Sequence, residues 1–182
     1  TKIKSVDGSL GAIFGGSANY MFYSTFNGCT SLTSIPENLF AGVSGSASYM
    51  FEGTFRSCKS LTSIPENLFS GVNGSASGMF YETFRDCTGL RGYIPHNTFP
   101  GSDVLSASTM GSTFYNTKLD TICPTGTTQY ITGFESKWDG KVACAPCPNG
   151  VCAHETQCTM ENGAGTITCL YDAATNDYIT IG

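Results

Sequence analysis

Histidine is almost missing from this sequence of 182 residues: His96 and His154 are the whole supply. Imidazole is the usual means of moving protons near neutral pH and the commonest metal ligand, and neither histidine has a partner pattern. His96 reads as a solvated turn residue, and His154 lies in a cysteine-rich stretch. Charge is scarce as well, at 13% of residues, with 14 acidic against 9 basic side chains and no sustained basic patch. Nucleic-acid binding needs a positive footprint that releases counterions, so no nucleic-acid partner is expected. No apolar run approaches the length of a membrane-spanning helix. A nucleophile elbow, a P-loop and a dinucleotide fingerprint are all lacking; "GAIFGG" at Gly11 has neither the spacing nor the context. These absences predict a protein without catalytic residues, cofactor or metal. The chain starts at Thr1 rather than at a methionine or a signal peptide, which reads as a mature or trimmed fragment of something longer.

What the sequence does have is repetition. "LTSIPENLF" begins at Leu32 and again, letter for letter, at Leu61, and residues 32–60 and 61–89 agree at 21 of 29 positions. The register runs back to a first copy near Ile3 and forward to a fourth at Leu90, where "RGYIPHNTF" carries one extra residue before its Ile-Pro. Met110 then sits late, and Leu119 restores the register, with Ile122 following. Self-similarity at such a period is the mark of solenoids and related arrays. The expected fold is an α/β-type repeat solenoid over residues 1–122, with repeats starting near 3, 32, 61 and 90 and a last strand at 119.

Within one repeat, "LTSI" reads as a short strand ended by Pro36, which cannot donate to a ladder. "PENLFAG" reads as a helical turn closing on Gly42, with Leu39 and Phe40 buried. Met50, Phe51, Thr54, Phe55 and Cys58 follow i, i+1, i+4, i+5, i+8 spacing, which predicts one face of a short helix. Stacked copies would place the strands in a short parallel sheet and like residues in columns. Phe22, Phe51 and Phe80 form one such ladder and Phe26, Phe55, Phe84 and Phe114 another, while Tyr23 and Tyr81 break the periodicity and should be exposed.

The core "C-x-S-L-T-S-I-P-x-x-L-F", from Cys29 to Phe40 and from Cys58 to Phe69, resembles the BspA-like leucine-rich repeats of bacterial surface proteins. The "MF…C-x-S-L" portion resembles related repeats of surface lipoproteins. The likeness covers about residues 1–122, with a period longer than is usual there and "GVSGSAS" as the inserted stretch. It implies a leucine-rich-repeat-like stack on a secreted or cell-surface protein of a bacterium.

The nine cysteines divide into two sets. Cys29, Cys58 and Cys87 recur once per repeat and read as a buried thiol ladder, with a disulfide between two neighbours as the other reading; the fourth copy has Asn116 at that place. Cys123, Cys144, Cys147, Cys152, Cys158 and Cys169 crowd into the segment after the last repeat. They suggest a small β module over residues 123–182, stapled by disulfides whose pairing sequence cannot assign. Asp139-Gly140 and Asn162-Gly163 are hairpin signals within it. Zinc on Cys144, Cys147, Cys152, His154 and Cys158 is the rival, but the spacing departs from a zinc knuckle and leaves Cys123 and Cys169 without a role.

Glu37 with Glu52, and Glu66 with Glu82, recur with the repeat and read as decoration rather than as catalytic pairs; Asn73-Gly74-Ser75 matches a glycosylation sequon but reads as a turn. The exposed strand positions form the candidate binding face: Thr33, Ser34, Thr62, Ser63, Arg91 and Asp120, together with Lys4, Ser5, Gly92 and Thr121. It is rich in hydroxyls and poor in the large anchors of tight interfaces. The functional expectation is a non-enzymatic adhesion module that presents this surface to a protein or glycan on a host or neighbouring cell. The alternative is a structural subunit of an extracellular fibre or surface layer, a homo-oligomer assembled through the ends of the stack.

Overall fold

Backbone hydrogen bonding in the repeats follows an unusual division of labour. The computed structural model describes residues 3–95, 97–99, 109–122, 127–129, 140–141, 143–146, 154–159, 166–172 and 177–180. From Ala18 to Cys29 the chain closes overlapping β-turns. The N–H groups of Met21, Tyr23, Thr25, Asn27 and Cys29 donate to the carbonyls three residues back, at 3.0–3.3 Å. The alternating N–H groups, of Tyr20, Phe22, Ser24, Phe26 and Gly28, donate instead to the next copy, at Ser48, Met50, Glu52, Thr54 and Arg56, over 2.8–3.1 Å. The same row joins the second copy to the third, from Tyr49, Phe51, Gly53, Phe55 and Ser57 to Ser77, Met79, Tyr81, Thr83 and Arg85. Phe80, Glu82, Phe84 and Asp86 continue it to Thr109, Gly111, Thr113 and Tyr115. Half of the donors therefore tighten the ribbon, and half stitch it to its neighbour.

This ribbon replaces the helix expected from the Met50–Cys58 spacing, and no α-helix occurs among the described residues. The backbone explains why. Every fourth residue of the ribbon has a left-handed φ, between 51° and 70°, at Tyr20, Ser24 and Gly28, at Tyr49, Gly53 and Ser57, at Gly78, Glu82 and Asp86, and at Ser112 and Asn116. An L-residue in that region costs about 1–2 kcal/mol, and the cross-copy hydrogen bonds offset the cost by using donors that a helix would turn inward.

Side chains complete the junctions. Phe22, Phe51 and Phe80 stack ring on ring, as do Phe26, Phe55, Phe84 and Phe114, and a third column runs through Phe40, Phe69 and Phe99. Neighbouring columns meet edge to face, with Phe69 4.8 Å from both Phe51 and Phe80, the arrangement that ring quadrupoles favour. Between the columns, Thr54 Oγ1 lies 2.9 Å from the Phe22 carbonyl, and Thr83 and Thr113 repeat that contact at Phe51 and Phe80. These hydroxyls are fully buried and satisfied.

On the opposite side each junction has a single backbone hydrogen bond. Thr33 donates to Lys4, Thr62 to Thr33, Arg91 to Thr62 and Asp120 to Gly92. The parallel sheet expected of the "LTSI" segments is thus reduced to one bond per copy. Isolated parallel bridges at Gly16–Val43 and Gly45–Val72 add a second thread.

The extra residue of the fourth copy is Tyr93, and its effect is visible along the ribbon. Hydrogen-bond partners are 28 residues apart in the earlier junctions, as from Phe51 to Met79, and 29 apart from Phe80 to Thr109. Thr109 therefore takes the place of Met79, and Met110 that of Phe80. Thr117, rather than Asn116, occupies the cysteine rung, while Asn116 stands over Asp86 and donates to its carboxylate at 2.8 Å. Leu119 returns to the core, but Ile122 is 77% exposed.

Two sheets follow. In the first, β1 (Ile94–Pro95) pairs in parallel with β3 (Ala143–Pro146), which pairs antiparallel with β2 (Thr127–Gln129). Ala143, placed beside Ile94, joins the buried core where Ile122 does not. In the second, β4 (His154–Thr159), β5 (Thr166–Asp172) and β6 (Asp177–Thr180) pair antiparallel in order. The link from β4 to β5 carries Asn162-Gly163, which lies outside the described residues, as does Asp139; Gly140 is in a turn with φ +76°.

Candidate interaction surface

Lys4, Thr33, Thr62 and Arg91 are brought into one column by the single hydrogen bonds of the strand side, and all four are exposed. Ser34 and Ser63 lie beside them and are exposed, as is Gly92, while Asp120 is half-buried next to Gly92. The six candidate residues thus share one side of the stack. Thr33 and Thr62 are partly engaged there, since each hydroxyl reaches the carbonyl of the preceding copy, at 3.4 Å. The Arg91 guanidinium folds back onto the carbonyls of Thr88 and Leu90, at 2.7 and 2.9 Å. This is a hydroxyl-lined column with Lys4 at one end and a tied-down arginine toward the other.

The outer side of the ribbon carries more of what interfaces use. Tyr20 stacks on Tyr49 at 5.2 Å and meets Tyr23 edge-on at 5.8 Å. Tyr20, Tyr23 and Tyr115 each keep half or more of their surface in solvent, and Tyr81 is also exposed. Two glycines make room for the rings. A Cβ on Gly78 would stand 2.2 Å from the Tyr49 ring, and one on Gly111 would stand 2.9 Å from Tyr81. Arg85 lies over the Tyr115 ring at 4.9 Å. Glu82, in a left-handed conformation and nearly buried, holds Arg56 at 2.7 Å and Arg85 at 2.5 Å, which locks one copy to the next. The carboxyl of Glu52 is raised above the usual range, first by burial and then by the charge of Glu82, with Arg56 opposing. The carboxylates that sense each other are therefore Glu52 and Glu82 of successive copies. Glu37 and Glu66 are solvent-exposed on another part of the repeat, and Asn97 reaches Glu66. Reading the sequence for strand positions missed this stripe. Its signal was Tyr23 and Tyr81 standing off the core periodicity, together with arginine at the same place in two copies.

Cys29, Cys58 and Cys87 are free thiols and buried. Cys58 Sγ donates to the Phe26 carbonyl and Cys87 Sγ to that of Phe55. Burial, helped by the neighbouring Cys29, pushes the Cys58 thiol up to about 12; Cys87 is raised by burial and then by Cys58. Cys144 is disulfide-bonded. Cys158 and Cys169 fall on the neighbouring strands β4 and β5, paired with Ile167 and Thr156 respectively. Cys123, Cys147, Cys152 and His96 lie outside the described residues. No cluster of three metal-ligating side chains occurs among the described residues, and no helix of theirs is long and apolar enough to cross a membrane.

No protein-family model, curated protein or solved structure matches this chain.

Proposed function

We propose that this chain is a non-enzymatic binding module of the secreted or cell-surface kind, a leucine-rich-repeat-like solenoid that presents a repeated surface to a protein or glycan on another cell. The observation that carries this reading is the ribbon stripe of Tyr20, Tyr23, Tyr81 and Tyr115 with Arg56 and Arg85. Tyrosine and arginine are the side chains that dominate interface energetics; here the tyrosines are exposed, the two arginines are half-buried against Glu82, and hydrogen-bonded turns fix the backbone that carries them. Tyrosine presents large, rigid contact area at low entropic cost. The column of Thr33, Ser34, Thr62, Ser63, Arg91 and Asp120 is a second, more polar face on the same scaffold. The disulfide at Cys144 favours an oxidising compartment, and the BspA-like character of the repeats fits a bacterial cell surface.

The test is capture of the purified chain on glycan arrays and intact cells, with two sets of variants. Tyr20→Ser, Tyr23→Ser and Tyr81→Ser together should abolish capture if the ribbon is the contact. Thr33→Glu, Thr62→Glu and Arg91→Glu should abolish it if the strand column is. Undiminished capture by both folded triple variants would sink the reading.

A further inference from the structure

We infer that Glu52, with Tyr23 and Tyr81 on either side of it, forms a site for a lysine or arginine side chain of a protein partner. This rests on the ribbon stripe being the contact surface, and it names the chemistry of what the stripe takes. Tyr23, Glu52 and Tyr81 hold the same ribbon position in three successive copies. Two backbone hydrogen bonds set their register: the Ser24 N–H donates to the Glu52 carbonyl, and the Gly53 N–H to that of Tyr81, both over 2.9 Å. The two tyrosines are exposed, and Glu52 between them is half-buried. The fourth copy has Gly111 at this place, so the column carries one carboxylate.

The charges near Glu52 are unequally engaged. Glu82 takes both guanidiniums, with Arg56 Nη1 at 2.7 Å from one carboxylate oxygen and Arg85 Nη1 on the other. Arg85 also reaches Asp86, at 3.5 Å, and lies over the Tyr115 ring. The Glu52 carboxylate makes no hydrogen bond or ion pair among the described residues. Its ionised form is disfavoured first by burial and then by the charge of Glu82, which Arg56 offsets only in part. A cation arriving from solvent thus meets a carboxylate without an ion-pair partner, with a tyrosine on each side. Ring faces attract ammonium and guanidinium groups, and hydrogen bonds between charged partners are the strong ones. Within the ribbon Glu52, Glu82 and Asp86 stand against Arg56 and Arg85, a surplus of negative charge in a chain whose net charge is -5. A neutral saccharide would leave Glu52 uncompensated, and an acidic partner would be repelled. A basic protein segment answers both the charge and the rings.

Fluorescence anisotropy of labelled, end-capped peptides on the intact chain tests this. The peptides alternate glycine with lysine, with arginine or with glutamate, and a labelled neutral N-acetylglucosamine oligomer is the fourth probe. The wild type should bind the lysine and arginine peptides, less tightly as salt rises. It should bind the glutamate peptide and the sugar at least several-fold more weakly. Glu52→Gln should weaken the basic peptides several-fold, whereas Glu37→Gln, which removes the same charge from another part of the repeat, should not. Tyr81→Ser should weaken them as well. Unchanged unfolding midpoints check the fold of each variant; should E52Q fail to fold, Y81S against E37Q decides. No preference for the basic peptides, or equal affinities in folded E52Q and E37Q, would overturn the inference. So would undiminished cell capture by E52Q where the tyrosine triple variant has lost it, a result that leaves the adhesion reading standing.

Discussion

The Cys58 thiol donates a hydrogen bond to the carbonyl of Phe26, 3.1 Å away in the preceding copy. The sulfur acts here as a small apolar filler with a weak donor, and Thr117 performs the filling part of that role on the last rung. A thiol so placed is shielded, and being held protonated it is a poor nucleophile. A thiol-specific reagent should find almost no reactive sulfhydryl in the native protein. Unfolding without reductant should then release three, from Cys29, Cys58 and Cys87. Nine thiols with stoichiometric bound zinc would overturn the disulfide reading of the other six.

The raised thiols have a consequence for pH. In the unfolded chain they ionise near the ordinary value of 9.0, whereas folded Cys58 keeps its proton to about 12. Above pH 9 the unfolded state thus binds fewer protons than the native state, so stability falls as pH rises, by at most about 1.4 kcal/mol per pH unit for each thiol. Below pH 9 the two thiols contribute no slope. Denaturant titrations should show a steeper alkaline decline for the wild type than for a Cys58→Val, Cys87→Val variant. Equal slopes would refute this account.

Phe55 is fully buried between Phe26 and Phe84, at 5.3 and 5.4 Å. Phe55→Ala should cost about 3–5 kcal/mol in chemical denaturation, the usual toll of truncating a core aromatic. Thr33→Ala, on the exposed strand side, should change stability little. Comparable small losses at both positions would contradict the burial pattern.

Thr83 Oγ1 lies 2.9 Å from the Phe51 carbonyl and 2.8 Å from that of Phe80, with no access to water. Thr83→Val keeps the shape and removes the donor, and should destabilise by about 1–2 kcal/mol. Thr25→Val should leave stability unchanged, because that hydroxyl bridges no copies among the described residues. A harmless Thr83→Val would show that the buried threonine column acts through packing alone.

The repeat and most of its buried positions were legible in the sequence, since Leu32, Phe51, Phe55 and Cys58 recur and must be covered by something. The local conformation was not. A turn ribbon that repeats every four residues puts apolar side chains at i, i+4 and i+8, as an α-helix does over so short a stretch. Met50, Thr54 and Cys58 fit both. What separates them is a left-handed residue at every fourth place, and only Gly28, Gly53 and Gly78 hint at it; Tyr49, Ser57, Glu82 and Asp86 do not. Asn116 was misaligned for a similar reason, because the offset introduced at Tyr93 persists through the ribbon and is absorbed only between Thr117 and Leu119. The tyrosine stripe stayed hidden because its members come from different ribbon positions, so no single column of the sequence displays it.

The rows of hydrogen bonds along the ribbon set how the stack responds to force. In each junction the N–H···O=C bonds point along the axis on which copies succeed one another, so a pull along that axis loads them in tension, one row at a time, rather than shearing all rows together. The weakest row opens first and frees a length of chain before the next is loaded. With a repeat of 29 residues, each event releases a contour of about 100 Å, at roughly 3.3–3.6 Å per residue. A tether built this way lengthens in even steps at modest load, and each freed copy can close again on the face that the remaining stack still presents.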